Sequence, residues 1–158
     1  LLKNFNAMAS ISLFLILGSI LMIASEYIYK KKKYLASSLD SITYKQAFAI
    51  GMFQIFAMFS GFSRSGSTIS AGLITGLSRG LAVEFSFLIS LPLTFASLFY
   101  DFLRIKPTLN LESSGIFIFT LLVSVMAIKP CLKLLSKISL NWFAGYRILL
   151  ALLLILLV

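Results

Sequence analysis

Residues 7–29 form an apolar run that is long enough to cross a bilayer, and four lysines follow it directly at positions 30–33. A spanning helix needs about 20 predominantly apolar residues. Further apolar runs cover residues 83–103, 115–128 and 142–158. The chain is 59% hydrophobic and 12% charged, whereas about a quarter of the residues in a soluble domain are charged. The sequence therefore predicts an all-α integral membrane protein, a multi-span helical bundle in a single membrane domain over residues 1–158.

The formal net charge of the chain is +9, which in a soluble protein would suggest binding to nucleic acid. Here the lysines lie between apolar runs, as the positive-inside rule describes for cytoplasmic loops. Basic and aromatic residues do not alternate on a polar surface, so the sequence argues against a nucleic-acid partner. The chain has no histidine and one cysteine, Cys131. These numbers exclude an internal disulfide and a Cys-cluster or His metal site within this chain.

Two apolar segments, residues 47–60 and 69–78, are too short to cross a bilayer comfortably. A polar loop joins them, and it reads Gly61-Phe62-Ser63-Arg64-Ser65-Gly66-Ser67-Thr68. Irregular backbone at membrane depth is tolerated only where protein or water surrounds it, and such breaks mark binding sites in transport-type folds. We therefore predict a re-entrant helix–loop–helix hairpin over about residues 46–79. The candidate N-caps of its first helix are Asp40, Ser41 and Thr43.

The distribution of positive charge favours a hairpin that returns to the side from which it enters. If residues 30–33 are cytoplasmic, such a hairpin leaves Arg79 on the same side. The next two spans then bring Lys129, Lys133 and Lys137 back to that side. A hairpin that crossed the membrane would place these later lysines outside, against the positive-inside rule.

Arg64 is the residue of the loop that most needs a functional explanation. A charged side chain at membrane depth costs about 2.5–3.5 kcal/mol on insertion scales, and such residues usually meet an anion or line a wet cavity. Hydroxyls and closely approachable backbone N–H groups surround Arg64 in the sequence. This is the chemistry that holds phosphate oxygens. Packing of small residues alone explains Gly72, Gly76 and Gly80, but it does not explain Arg64.

At these residues the chain resembles the undecaprenyl-diphosphate phosphatases of the bacitracin-resistance type. Their signature is a Pro-Gly-x-Ser-Arg-Ser-Gly-x-Thr loop, followed by a Gly-Leu-Ser-Arg helix end and a Phe-Ser-Phe-Leu span. The matching segments here are residues 61–69, 76–79 and 85–88, with Pro92, residues 46–54 and the terminal Phe143-x-x-Tyr146-Arg147-Ile148. The resemblance extends over most of the chain from Tyr44 onwards.

The resemblance implies a multi-pass enzyme of the bacterial inner membrane, built from two inverted repeats that each carry a re-entrant hairpin. Its members hydrolyse undecaprenyl diphosphate to undecaprenyl phosphate, which recycles the carrier lipid for peptidoglycan synthesis and confers bacitracin resistance. No nucleotide cofactor is implied, and a divalent cation, Mg or Ca, is expected to support activity. By position, Arg64 would clamp the diphosphate, and Ser63 and Thr68 would bind its oxygens. The resemblance also assigns substrate binding to Gly61, Ser65, Gly66 and Ser67.

This chain departs from the family pattern in its first part. The family has an N-terminal Glu-x-x-x-Glu run and a Ser-Ser-x-Gly-His motif, and neither has a counterpart here. We therefore expect a C-terminal portion of such an enzyme, with half of the inverted-repeat fold. Two alternatives remain open: a non-catalytic protein that binds a lipid diphosphate, and a transporter-like module for a phosphorylated lipid. The prediction also allows a homo-oligomer.

Overall fold

The computed structural model describes residues 2–32, 36–105 and 111–156. Every regular element in these ranges is helical, which confirms the predicted fold class. Short 3-10 helices cover Leu39–Ser41 and Ile55–Met58. The α-helices are, in chain order, α1 (Leu2–Lys31), α2 (Tyr44–Gln54), α3 (Arg64–Thr75), α4 (Arg79–Ile105), α5 (Leu111–Lys137) and α6 (Leu140–Leu156).

Within these described ranges, 3 helical segments are long and apolar enough to cross a membrane, namely Met8–Lys31, Arg79–Arg104 and Ser114–Lys137. The shorter helix α6 has 17 residues. The end of helix α5 differs from the prediction. The apolar run was expected to end at residue 128, but the helix continues to Lys137. The continuation includes Pro130. Its lysines, Lys129, Lys133 and Lys137, recur every fourth residue and therefore form one exposed stripe.

Helices α2 and α3 form an antiparallel hairpin. Thr43 caps α2, because its hydroxyl accepts a hydrogen bond from the N–H of Gln46 while the Gln46 side chain accepts one from the N–H of Thr43. Of the three predicted caps, Thr43 is therefore the one that is used. The Gln46 side chain also donates to the carbonyl of Thr75, at 3.0 Å. This contact joins the start of α2 to the end of α3.

Both ends of the hairpin lie beside the lysine-rich end of α1. Ala36 follows α1, and its N–H and carbonyl bond to the carbonyl of Gly76 and the N–H of Ser78. The tip of the hairpin lies far along α1, where Phe62 meets Gly18. Gly18 is about 20 Å from Lys31 at a rise of 1.5 Å per residue. The hairpin therefore leaves one end of α1, extends along it until its tip contacts Gly18 and Ile11, and returns to the same end.

A buried ion pair joins α1, α4 and α6 at that end. The carboxylate of Glu26 accepts hydrogen bonds from both terminal nitrogens of Arg79, at 2.6 and 2.7 Å, and from the N–H of Leu140, at 2.6 Å. Glu26 is only 1% exposed. Arg79 also donates to the carbonyl of Ile138, at 3.2 Å. The end of α1, the start of α4 and the junction of α5 with α6 thus meet at one point.

Helix α3 lies at the centre of the bundle, where its residues from Gly66 to Leu73 are buried. It packs on α1, α2 and α4. Gly72 makes the close approach to α4, since a Cβ at this position would lie 2.8 Å from the Cβ of Ala82. Small residues at such crossings let helices approach closely in a membrane. The predicted packing role of Gly72 agrees with this contact.

Replacing Gly72 by alanine is expected to destabilise the protein by about 1–3 kcal/mol, because the added methyl group overpacks the contact between α3 and α4. The change in the free energy of unfolding in detergent micelles measures this effect. Gly51→Ala is the matched control, since a Cβ there meets nothing within 4 Å. In helix α2 that change should be neutral or stabilising by up to about 1 kcal/mol. Equal stabilities of the two variants would contradict the tight crossing.

Candidate functional site

The glycine- and serine-rich loop predicted from the sequence forms the tip of the hairpin and the start of α3. Gly61 has φ 101° and Ser63 has φ 73°. Positive φ is ordinary for glycine, but for other residues it is uncommon and it clusters at functional sites. The Ser63 hydroxyl caps α3 by accepting a hydrogen bond from the N–H of Gly66, at 3.2 Å. Ser63 is thus held in a strained conformation at the helix N-terminus.

This helix N-terminus offers several backbone donors to a ligand. In the part of the chain that the structure describes, the N–H groups of Ser63, Arg64 and Ser65 have no acceptor. The first N–H groups of any helix lack an intrahelical partner, and they carry the positive end of the helix dipole. Together with the guanidinium of Arg64, they form an arrangement that suits the oxygens of a phosphate group.

The loop stands between two cavities, and the predicted site residues divide between them. Ser63, Ser65 and Gly66 line a cavity of about 270 Å³, together with Met22 of α1 and Arg147 of α6. Apart from Tyr146, the rest of the lining is apolar, and it includes Ile69, Leu135, Leu140 and Phe143. A cavity with a polar floor and apolar walls fits an amphipathic ligand better than a free ion.

Arg64 lies on the other side of the loop, in an open cavity of about 520 Å³. It shares this cavity with Thr94, Ser97 and Asp101 of α4. The structure thus brings the arginine and the serines of the motif to one helix N-terminus but to different sides of it. A ligand that contacts both Arg64 and Ser65 must lie across the tip of the helix.

Two of the predicted residues point into the protein. Thr68 is 2% exposed and Ser67 is 1% exposed. The Thr68 hydroxyl is hydrogen-bonded to the Ser86 hydroxyl of α4 and donates to the carbonyl of Arg64, while Ser67 also donates to that carbonyl. Their hydroxyls therefore hold the first turn of α3 in place and join it to α4. Gly61 packs on α1, where a Cβ would lie 2.6 Å from the carbonyl oxygen of Ile11.

Three residues that make close buried contacts were not predicted from the sequence. The sequence placed Arg147 only in the terminal motif, whereas in the structure its guanidinium donates to the carbonyls of Gly61 and Phe62. It gave no role to Glu26 or Gly18. A charge inside an apolar run is itself a signal of function or pairing, so Arg147 and Glu26 could have been found. Gly18 carries no such signal.

The described residues around the loop offer few oxygen ligands for a divalent cation. Calcium and magnesium bind through carboxylate and other oxygen ligands. Among the described residues that line the two cavities, Asp101 carries the only carboxylate, and it lies in the cavity of the Arg64 guanidinium. In the described ranges no group of three His, Cys, Asp or Glu residues could hold a metal ion. The N–H groups at the start of α3 and the Arg64 guanidinium are donors that suit an anion.

Comparison with known proteins places these features in a family. The family described as "Bacitracin resistance protein BacA" matches residues 1–153. The undecaprenyl-diphosphatase of Wolinella succinogenes is 43% identical over 152 residues, which cover 94% of this chain and 59% of the relative. The enzyme of the same name from Buchnera aphidicola is 40% identical over 151 residues, covering 93% and 55%. Undecaprenyl-diphosphatase 1 of Bacillus cereus is 46% identical over 143 residues, covering 88% and 53%. The chain thus spans little more than half the length of these relatives.

Proposed function

The chain belongs to the bacitracin resistance protein BacA family, and we propose that it forms the diphosphate-binding part of an undecaprenyl-diphosphatase. The names of the relatives support the reaction, the hydrolysis of undecaprenyl diphosphate to undecaprenyl phosphate and inorganic phosphate. The observation that carries the proposal is the tip of the hairpin, where free N–H groups and Arg64 meet. A diphosphate needs this kind of donor set.

Positioning and charge neutralisation supply most of the catalysis of phosphoryl transfer. In this proposal the guanidinium of Arg64 binds phosphate oxygens in a bidentate manner. The N–H groups of Ser63, Arg64 and Ser65 bind the remaining oxygens, and Ser63 and Ser65 shape the floor of the smaller cavity. Gly61, Gly66, Ser67 and Thr68 hold the loop in the conformation that presents these donors. The base or nucleophile, and any cation, then belong to the rest of the complete polypeptide.

We further propose that residues 46–79 enter the membrane and return to the same side, in a single multi-pass domain of the bacterial inner membrane. Two observations support this arrangement. Both ends of the hairpin lie at the lysine-rich end of α1, while its tip contacts α1 at Ile11 and Gly18. The junction of α5 with α6 is also at that end, through Arg79 and Glu26. The net-positive segments are therefore together, as the positive-inside rule expects.

The complete polypeptide that contains this chain, purified in detergent, is expected to release inorganic phosphate from undecaprenyl diphosphate. A phosphate-release assay with the lipid diphosphate as substrate measures this activity, and undecaprenyl phosphate serves as the control substrate because it has no anhydride bond. Binding of the diphosphate without release of phosphate would contradict the proposal and would favour a non-catalytic binding protein. Movement of the intact lipid between leaflets of a vesicle, again without phosphate release, would favour a transport module.

A further inference from the structure

Arg147 reaches from α6 to the hairpin tip and binds the backbone of the loop. It lies within the apolar run of α6, and it is only 9% exposed. Its Nη2 donates to the carbonyl oxygens of Gly61 and Phe62, at 2.5 and 3.0 Å, and lies 3.5 Å from the carbonyl oxygen of Leu15 in α1. One guanidinium therefore joins α1, the loop and α6. A buried charge within an apolar helix costs free energy, and its hydrogen bonds to backbone carbonyls offset part of that cost.

Gly18 provides the space in which this contact forms. A Cβ at Gly18 would lie 2.5 Å from the carbonyl oxygen of Phe62 and 2.8 Å from Nη2 of Arg147. Real Cβ atoms do not approach backbone oxygens so closely, so any side chain here would push the loop away from α1 or displace the guanidinium. Gly145 on α6 and Gly51 on α2 are different, because a Cβ at either position meets nothing within 4 Å.

The contact with Arg147 sets the direction of the peptide groups in the loop. In a trans peptide the C=O and N–H point in opposite directions. The carbonyl of Phe62 accepts a hydrogen bond from Arg147, so the N–H of Ser63 points away from the guanidinium. If these peptide groups turned over, the carbonyl oxygens of Gly61 and Phe62 would face the anion and repel it. Arg147 holds them back and compensates their negative charge.

We propose that Arg147 and Gly18 are positioning residues for the diphosphate site. They hold the carbonyls of Gly61 and Phe62 against α1 and α6, so that the amides of Ser63, Arg64 and Ser65 face the substrate. The pair is called the loop clamp below. That the anion is the diphosphate of a lipid rests on the proposed function, but the loop clamp itself can be tested without any substrate.

The test compares Arg147→Met, Arg147→Lys and Gly18→Ala in the complete polypeptide, with Gly145→Ala as the matched control. Hydrogen–deuterium exchange of peptides covering residues 59–67 is measured first, without substrate. The N–H groups of Phe62, Gly66 and Ser67 are hydrogen-bonded. Releasing the loop from the guanidinium should speed their exchange about tenfold or more, because hydrogen bonds to charged groups are strong. Arg147→Met and Gly18→Ala should show this rise in the loop alone. Arg147→Lys should recover part of the protection, because an ammonium can still bind one carbonyl, and Gly145→Ala should match the wild type.

Kinetics with the lipid diphosphate then separate positioning from general stability. A disordered site should raise KM about tenfold or more, and Arg147→Lys should lie between Arg147→Met and the wild type. A variant that is merely unstable would lose active molecules, which lowers the apparent kcat at unchanged KM and speeds exchange in every helix. That result, or unchanged loop exchange in both Arg147→Met and Gly18→Ala, would overturn the proposal. If the two variants show the local rise in exchange but the wild type hydrolyses no lipid diphosphate, the proposed function is wrong and the loop clamp stands.

Discussion

Replacing Arg64 by methionine in the complete polypeptide is expected to lower kcat/KM for undecaprenyl diphosphate by about 10²–10³. Loss of a single preorganised donor to a developing negative charge typically has an effect of this size. Methionine preserves much of the length of the side chain but offers no donor to a phosphate oxygen. Arg64→Lys should retain part of the activity, because an ammonium carries the charge without the bidentate geometry. Steady-state kinetics of phosphate release measure all three proteins.

Arg104→Met is the matched control for this prediction. Arg104 is also an arginine of the bundle, but it lies near the end of α4, is exposed, and contacts the hydroxyl of Tyr100 on its own helix at 3.3 Å. Its replacement should change kcat/KM less than threefold, about what a change of 0.5 kcal/mol would produce. If Arg64→Met behaved like Arg104→Met, the assignment of the site to the hairpin tip would be wrong.

Much of the architecture could be predicted from the sequence because membrane helices and their loops carry strong local signals. Long apolar runs identify α1 and α4, and the Gly61–Thr68 loop identifies the break between α2 and α3. The predicted end of α5 was wrong because lysines and a proline, here Pro130, are typical of the end of a membrane span. A proline removes one N–H donor, yet α5 continues past Pro130, and the lysines after the apolar run lie on its exposed face.

The candidate site was harder to predict because neighbouring side chains of the loop point in different directions, which their spacing in the sequence does not determine. Ser63 and Arg64 are neighbours, yet they line different cavities. Thr68 belongs to the same motif, but its hydroxyl contacts Ser86, which is 18 positions away in the chain. The partners of Arg147 lie 85 and 86 positions away. Such contacts depend on the packing of whole helices, which no local pattern reports.

Replacing Glu26 by glutamine is expected to destabilise the protein by about 3–5 kcal/mol, the usual effect of removing one partner from a buried ion pair. Glutamine has the shape of glutamate and can still accept the N–H of Leu140. It leaves the guanidinium of Arg79 without a counter-charge, however, and its amide group presents donors to a group that has only donors. The free energy of unfolding in detergent measures the loss. Glu84→Gln is the matched control, since Glu84 is exposed, and its effect should be within about 0.5 kcal/mol of zero.

A double-mutant cycle with Arg79→Met tests whether the pair itself causes the effect. Arg79→Met alone should also be strongly destabilising, because it leaves the 1% exposed carboxylate of Glu26 unpaired. The double variant Glu26→Gln/Arg79→Met has no charged side chain left at this junction, and its glutamine still accepts the N–H of Leu140. It should therefore lose less stability than the sum of the two single variants, by about 0.5–3 kcal/mol. Strict additivity would mean that the two charges do not stabilise each other. The junction of α1, α4 and α6 would then depend on packing rather than on the ion pair.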